Sequence, residues 1–112
     1  MAKHKRTVAC AFPQKVRERI KERDGGCIFC KREMKYGLKQ MTATDIMHIV
    51  PRSAGGLGIE ENGVFGCRFH HHLLDNGSNG ERQEMMSYIT WYMMGLYPGW
   101  NREKLIYRKE FT

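Results

Sequence analysis

Residues 45–56 read DIMHIVPRSAGG, and they include one residue that an apolar strand does not need. Short, mostly β-branched apolar side chains surround His48, and a proline then ends the run, which predicts a β-strand rather than a helix. The histidine has two interpretations. It is either a core residue with a satisfied hydrogen bond or a group that exchanges protons near neutral pH. The sequence on either side has to decide between them.

Two pairs of candidate metal ligands flank this strand: Cys27-x2-Cys30 before it and Cys67-x2-His70 after it. The two-residue spacing lets both members of a pair reach one ion, and four nitrogen or sulfur donors complete the tetrahedron that zinc prefers. We therefore predict a closed site that holds a structural Zn²⁺. His71 lies about one helical turn from Cys67 and is the alternative fourth ligand.

A second metal site is predicted by the residues that follow the first. Consecutive residues of a helix point about 100° apart, so His70 and His71 face different surroundings. Asp75 comes four residues after His71 and lies on the same helical face. The pair predicts a site for a divalent ion, and the alternative is an exposed His–Asp pair that binds nothing. His72 is interpreted as a surface residue or one that supports the site.

The whole chain has a net charge of +7, and its basic residues are concentrated in the first third. Residues 1–40 hold 12 Lys and Arg against 4 Asp and Glu, whereas residues 41–112 hold 7 against 8. This distribution predicts a polyanionic partner, with DNA ahead of a lipid surface because no apolar anchor accompanies the charge. A solvated basic face without a partner is the alternative. The DNA-contacting candidates are Lys3, Lys5, Arg6 and Arg52.

The 112 residues predict a single domain in a reducing compartment. The N-terminus lacks the apolar segment of a secretion signal, and no stretch has the length of a membrane span. We therefore expect a cytoplasmic protein with no membrane partner, in which cysteines bind metal rather than form disulfides. Cys10, outside both pairs, is interpreted as a small buried residue.

Periodicity and breakers predict the other elements. Helices are expected at 13–23, 68–74, from the Ser78–Glu81 capping box to Leu96, and at 102–109. We expect a tight turn from Cys27 to Cys30 and a loop or weak hairpin over residues 31–43. A brief strand is expected at residues 64–65. An apolar stripe on the long helix is interpreted as core packing, with a partner groove as the alternative; it consists of Met85, Ile89, Tyr92, Met93 and Leu96.

The ordered set His48, Asn62 and His71, with the flanking cysteines, resembles the HNH endonuclease family. The resemblance rests on VRERIKERDGGCIFC, HIVPRSAGGLGIEENGVFGC and CRFHHHLLDNG. It is also similar to small HNH proteins of phages and prophages, often encoded beside DNA-packaging genes. It implies an α+β, ββα-metal nuclease domain across residues 1–112. The motif core would span about 13–76, with a helix before it and a helical extension at about 78–112.

The resemblance implies a role for each matching residue. His48 takes the position of the general base, Asn62 that of the residue bracing the loop, and His71 that of a metal ligand. Asp75 takes a further ligand position, and His70 replaces the fourth cysteine of the zinc site found in many members. The implied activity is metal-dependent hydrolysis of DNA, with Mg²⁺, Mn²⁺ or Ni²⁺ as the catalytic ion. DNA and possible phage packaging proteins are the implied partners; a zinc-stabilised DNA-binding module without catalysis is the alternative.

One position departs from the family pattern. The residue before the general base is usually Asp or His and binds the catalytic metal, whereas this chain has Met47. A thioether is a poor ligand for magnesium. Asp45 lies two residues earlier on the same face of the strand and is the additional candidate ligand, directly or through water.

Overall fold

The structure, a computed structural model, describes residues 5–34 and 42–108. In those ranges the helices and strands are α1 (Lys5–Cys10), α2 (Gln14–Asp24), α3 (Ile28–Glu33), β1 (Ala43–His48), β2 (Gly63–Cys67), α4 (Arg68–Asn76) and α5 (Asn79–Leu96). Short 3-10 turns lie at Arg52–Ala54, Glu60–Asn62 and Arg102–Leu105. The predicted α+β class is confirmed for the described residues.

The two strands form an antiparallel hairpin that separates two groups of buried side chains. Met47 pairs with Val64, and His48 pairs with Gly63 at the end of the hairpin. Ile46 packs on the side of α2, whereas Met47 belongs to the main core with α3 and α5. Because successive side chains of a strand alternate between faces, Asp45 shares the face of Met47 and His48 shares that of Ile46.

The apolar run around His48 is only partly strand. β1 ends at His48, although the run continues through Ile49 and Val50. Both of these residues are buried, but Asn62 rather than a neighbouring strand binds their backbone N–H groups. The sequence therefore correctly predicted a β-strand here, but the predicted strand was too long because it included Ile49 and Val50.

The first cysteine pair does not form an isolated tight turn, as the sequence had suggested. Cys27 is the N-cap of α3, and Cys30 lies in its first turn. The following segment is helical through Glu33, where a loop or weak hairpin was predicted for 31–43; residues 35–41 lie outside the described ranges. The preceding helix matches its prediction to within one residue and ends at Gly25, whose φ of 69° is the left-handed conformation that glycine adopts easily.

The long helix α5 begins as predicted and buries a narrower stripe than predicted. Ser78 and Glu81 form the capping box. Met85, Ile89 and Met93 are buried in the main core, which confirms core packing for them. Tyr92 is only partly buried, and Leu96 is 42% exposed because it lies in the last turn, beyond the core. The predicted helix at 102–109 is instead a single 3-10 turn, Arg102–Leu105, followed by extended backbone at Ile106, which bridges to Gly56.

A buried carboxylate ties α2 to the hairpin and to α5. Asp24, 1% exposed, receives two hydrogen bonds from Arg23 at 2.7 and 2.9 Å. It also accepts from the Tyr92 hydroxyl at 2.5 Å and from the Phe65 backbone N–H at 2.8 Å. The partners come from three different elements, so this carboxylate fixes their relative positions.

Replacing Asp24 by Ala should destabilise the protein by about 3 kcal/mol or more, because it removes the counter-ion of a mostly buried guanidinium and the acceptor of two further donors. Urea denaturation followed by circular dichroism measures the loss. Glu84→Ala, which removes the partner of Arg32 from an exposed ion pair, is the control and should cost less than about 1 kcal/mol. Equal costs for both variants would show that the Asp24 network is not a stability determinant.

Candidate metal centres and catalytic residues

The four predicted zinc ligands converge in the structure. His70 Nδ1 lies 3.2 Å from Cys67 Sγ and 3.5 Å from the Sγ atoms of Cys27 and Cys30, and the Cys30 and Cys67 sulfurs are 3.7 Å apart. All four residues are buried. Ligands of one tetrahedral zinc ion, at about 2.3 Å for sulfur and 2.0–2.1 Å for nitrogen, lie roughly 3.5–3.8 Å from one another. The donor set and spacing therefore fit a structural metal ion such as zinc.

The choice between His70 and His71 follows from their positions on α4. His70 is 4% exposed and faces the sulfurs, whereas His71 is half-buried and faces the hairpin. The structure therefore favours His70 as the fourth ligand. Cys10 is 2% exposed and lies outside the cluster, as predicted for a small buried residue.

Both ligand pairs use a helix N-terminus. Cys27 caps α3 and Cys67 caps α4, and each sulfur accepts a hydrogen bond from the backbone N–H three residues later. Burial alone would raise the pKa of the Cys27 thiol, but hydrogen bonds from His70 and the Cys30 backbone outweigh it and lower that pKa. The positive end of a helix favours thiolates in the same way. The Cys27 thiol is thus prepared to lose its proton, which metal binding requires.

His48 lies at the end of β1, and one of its ring nitrogens is hydrogen-bonded. Its Nε2 is 2.9 Å from the Cys10 carbonyl oxygen, and because a carbonyl only accepts, Nε2 donates. In the neutral ring Nδ1 then carries the lone pair. The ring packs on Phe12 with centroids 4.2 Å apart. The pKa of His48 is lowered, mainly by burial and further by the charges of Arg52 and Arg17, against the opposing effect of the carbonyl.

Asn62 braces the loop that follows His48. It is fully buried, and its Oδ1 accepts from the Val50 backbone N–H at 2.8 Å. Its Nδ2 donates to the carbonyls of Val50 and Leu57 at 3.1 and 2.8 Å, and its own carbonyl accepts from Ile49 at 2.9 Å. These bonds close the 49–62 segment on itself. The hydrogen bonds of Asn62 therefore fix the direction in which the chain leaves His48.

His71 lies between two carboxylates. Its Nδ1 is 2.7 Å from Asp45 Oδ2, and its Nε2 is 3.4 Å from Asp75 Oδ2. Asp45 also pairs with Arg68 at 3.2 Å. Burial would raise the pKa of Asp45, but the hydrogen bonds from His71 and Thr44 and the charge of Arg68 lower it. Because the carboxylates meet opposite nitrogens of one ring, all three groups cannot converge on one ion in this arrangement.

Met47 contributes no donor to this group. It is 1% exposed, and its sulfur and methyl group lie against Gly66, where a Cβ atom would come within 2.3 Å of the methyl carbon. A side chain at Gly66, which pairs with Asp45, would therefore require the end of this methionine to move. Among the contacts of the described residues, Asp45 is the strand side chain that reaches His71.

The predicted DNA-contacting residues lie partly on α1. Lys5 and Arg6 are exposed there, and Arg6 donates to the carbonyls of Arg52 and Ser53 at 3.4 and 3.1 Å, while Lys3 lies outside the described residues. This contact brings the basic α1 beside the loop that follows His48. Two features near His48 were not predicted. The Cys10 carbonyl leaves no trace in the sequence, and the proximity of Arg17 on α2 to His48 depends on tertiary packing.

No family model, curated protein or solved structure matches the chain. Within the described residues, no helix combines the length and the apolar character needed to cross a membrane. The function is therefore inferred from the geometry of the chain's own residues and from the motifs in its sequence.

Proposed function

We propose that the protein is a metal-dependent DNA endonuclease of the HNH type, with a ββα-metal core made of β1, β2 and α4. The observation that carries the proposal is the state of His48. Its Nε2 is bound to the Cys10 carbonyl, its Nδ1 bears the lone pair, and Asn62 braces the segment that follows. A partly exposed imidazole held in one tautomer with a lowered pKa is suited to general-base catalysis.

In the proposed reaction His48 Nδ1 removes a proton from a water molecule. The water oxygen bonds to phosphorus as the bond from phosphorus to the 3′ oxygen breaks, and the departing oxygen takes a proton from solvent. His71 Nε2 and Asp75 would hold the catalytic ion, since two ligands of one ion at about 2.1 Å lie about 3.0–3.4 Å apart. A bound divalent ion supplies Lewis-acid stabilisation of the phosphate and of the leaving oxygen.

In this proposal Asp45 does not bind the catalytic ion directly but orients its ligand His71. It accepts the Nδ1–H of His71, which leaves Nε2 free to bind the ion and fixes the orientation of the ring. Metal-bound histidines commonly donate their second N–H to a carboxylate in this way. The arrangement supplies a strand-side carboxylate although Met47 occupies the position of the usual ligand.

DNA would be bound through its backbone by the basic residues near His48. Lys5, Arg6 and Arg52 lie on α1 and on the loop that it contacts, and phosphate contacts of this type carry little sequence information. The resemblance to phage-type HNH proteins extends the proposal to phage DNA processing or packaging. A DNA-binding module without catalysis is the second candidate, because the zinc ligands and the basic α1 do not themselves require hydrolysis.

Nicking of a supercoiled plasmid tests the proposal. Protein with bound zinc is mixed with plasmid and Mg²⁺, Mn²⁺, Co²⁺ or Ni²⁺ at equal concentrations. We expect stronger nicking with Mn²⁺ or Ni²⁺ than with Mg²⁺, because an imidazole ligand suits the transition metals better. DNA binding in a gel-shift assay without nicking under any ion would favour the non-catalytic module.

The same assay locates the catalytic ion. Asp75→Ala removes a proposed ligand and Asp45→Ala removes the partner of His71, so both should raise the Mn²⁺ concentration needed for half-maximal nicking by about 10- to 100-fold. Asn76→Ala, a change at the exposed neighbouring position on α4, should leave this concentration unchanged. Zinc content, measured by atomic emission, should be the same in all variants. An unchanged metal dependence in both aspartate variants would place the ion elsewhere.

A further inference from the structure

His70 has a second nitrogen that faces away from the sulfur cluster. Its Nδ1 lies against the three cysteine sulfurs, whereas Nε2 lies 2.9 Å from Glu33 Oε2, at the end of α3. The histidine side chain is only 5% exposed, so water does not readily satisfy this nitrogen. Apart from Glu33, Nε2 has no hydrogen-bond partner in the part of the chain that the structure describes.

The contact with Glu33 is close but imperfectly aligned. The distance is that of a hydrogen bond, but the ring N–H does not point directly at the carboxylate oxygen. The Glu33 side chain is 34% exposed and can rotate into line. A buried N–H without an acceptor is unfavourable, so there is a driving force for this rotation.

We propose that Glu33 is a positioning residue for the zinc site, which it serves by accepting the Nε2–H of His70. A neutral histidine binds metal through one nitrogen and keeps its proton on the other. With the proton held on Nε2 by Glu33, the Nδ1 lone pair points at the three sulfurs. The carboxylate also increases the electron density of the ring and strengthens its bond to the ion. This inference does not depend on the proposed DNA hydrolysis.

Glu33 occupies an unfavourable position on its helix. It is the last residue of α3, where the negative end of the helix dipole disfavours a carboxylate. Arg32, its neighbour, pairs with Glu84 rather than with Glu33. A carboxylate in an unfavourable helical position, directed at a zinc-ligand nitrogen, is expected if its role is to bind that nitrogen.

A groove beside the site provides a matched control. Glu33, His70 and Glu84 line the same cavity of about 340 Å³ between α3, α4 and α5. Glu84 carries the same charge but pairs with Arg32 and makes no contact with a proposed zinc ligand among the described contacts. Its removal changes the charge of the groove without changing the acceptor of His70.

The test is the zinc dissociation constant, measured by competition with a chromophoric chelator. We expect it to rise about 10- to 100-fold in Glu33→Ala. Glu33→Gln should give a smaller rise, because its amide oxygen still accepts the N–H but carries no charge. Glu84→Ala should match the wild type within about twofold. The Co²⁺ spectrum of each variant should retain sulfur-to-metal bands, which shows that the cysteine ligands are intact.

Two results would overturn the inference. The first is a dissociation constant for Glu33→Ala within about twofold of the wild type. The second is an equal loss in Glu84→Ala, which would assign the effect to the total charge of the groove. The Gln variant keeps the test valid if the Ala variant is poorly folded, since its side chain has nearly the same volume and should still show a measurable loss.

Discussion

Replacing Cys67 by Ser should lower the melting temperature of the zinc-bound protein by more than about 10 °C. Cys67 is the point where β2 becomes α4, and its sulfur approaches both His70 and Cys30, so the substitution removes a metal ligand at the junction of three elements. Structural zinc contributes directly to folding, with apparent binding free energies of about 10–16 kcal/mol in small zinc domains. Losing about 3 kcal/mol of this would shift the melting temperature by roughly 10 °C in a domain of this size.

Differential scanning fluorimetry and metal analysis together test this expectation. Cys10→Ser is the matched control, because Cys10 is equally buried but lies outside the ligand cluster. It should retain one zinc ion per chain and melt within a few degrees of the wild type. If purified wild-type protein contains no zinc, or if both serine variants melt alike, the Cys27, Cys30, Cys67 and His70 cluster is not a metal site that stabilises the fold.

The candidate metal ligands could be predicted because their signal is local. Each pair is separated by two residues, and in both cases the first cysteine caps a helix, so a few consecutive residues fix the geometry. Local geometry also predicted that His70 and His71 face different surroundings, and the structure then placed His70 with the cysteines. The helical form of the first pair was missed, because Cys-x2-Cys is compatible with both a tight turn and the start of a helix.

Contacts between distant segments could not be predicted in the same way. Glu33 meets His70 through the tertiary fold, since the two residues are 37 apart in sequence. The Cys10 carbonyl that binds His48 belongs to the backbone and is independent of residue type. Asp45 was expected on the same strand face as Met47 as a candidate ligand, but the sequence did not show that it meets Nδ1 of His71. Tertiary packing decides each of these contacts.

His48→Ala should reduce DNA nicking by about 10²- to 10⁴-fold, the usual cost of losing a general base. Its ring is half-buried, makes one hydrogen bond to Cys10 and packs on Phe12, so its removal should cost little of the core. Zinc content should be unchanged, and DNA affinity, measured by gel shift, should stay within a few-fold of the wild type. His72→Ala is the control, because His72 is exposed on α4 and should leave nicking unaffected.

The pH dependence of nicking separates a base from a structural histidine. The pKa of His48 is lowered from its usual value near 6.5, chiefly by burial, so the neutral ring that can accept a proton should predominate at pH 7 and above. The rate should therefore fall only as the pH drops below about 6.5. Phe12→Leu opens the ring to water, and the acid limb should then move to higher pH because the desolvation that lowers the pKa is reduced. Phe12 packs on His48 without touching the His71 group among the described contacts, so an altered metal dependence is not expected.

If His48→Ala melts early and nicks at the wild-type rate per folded molecule, the histidine is a structural residue and the proposed mechanism is wrong.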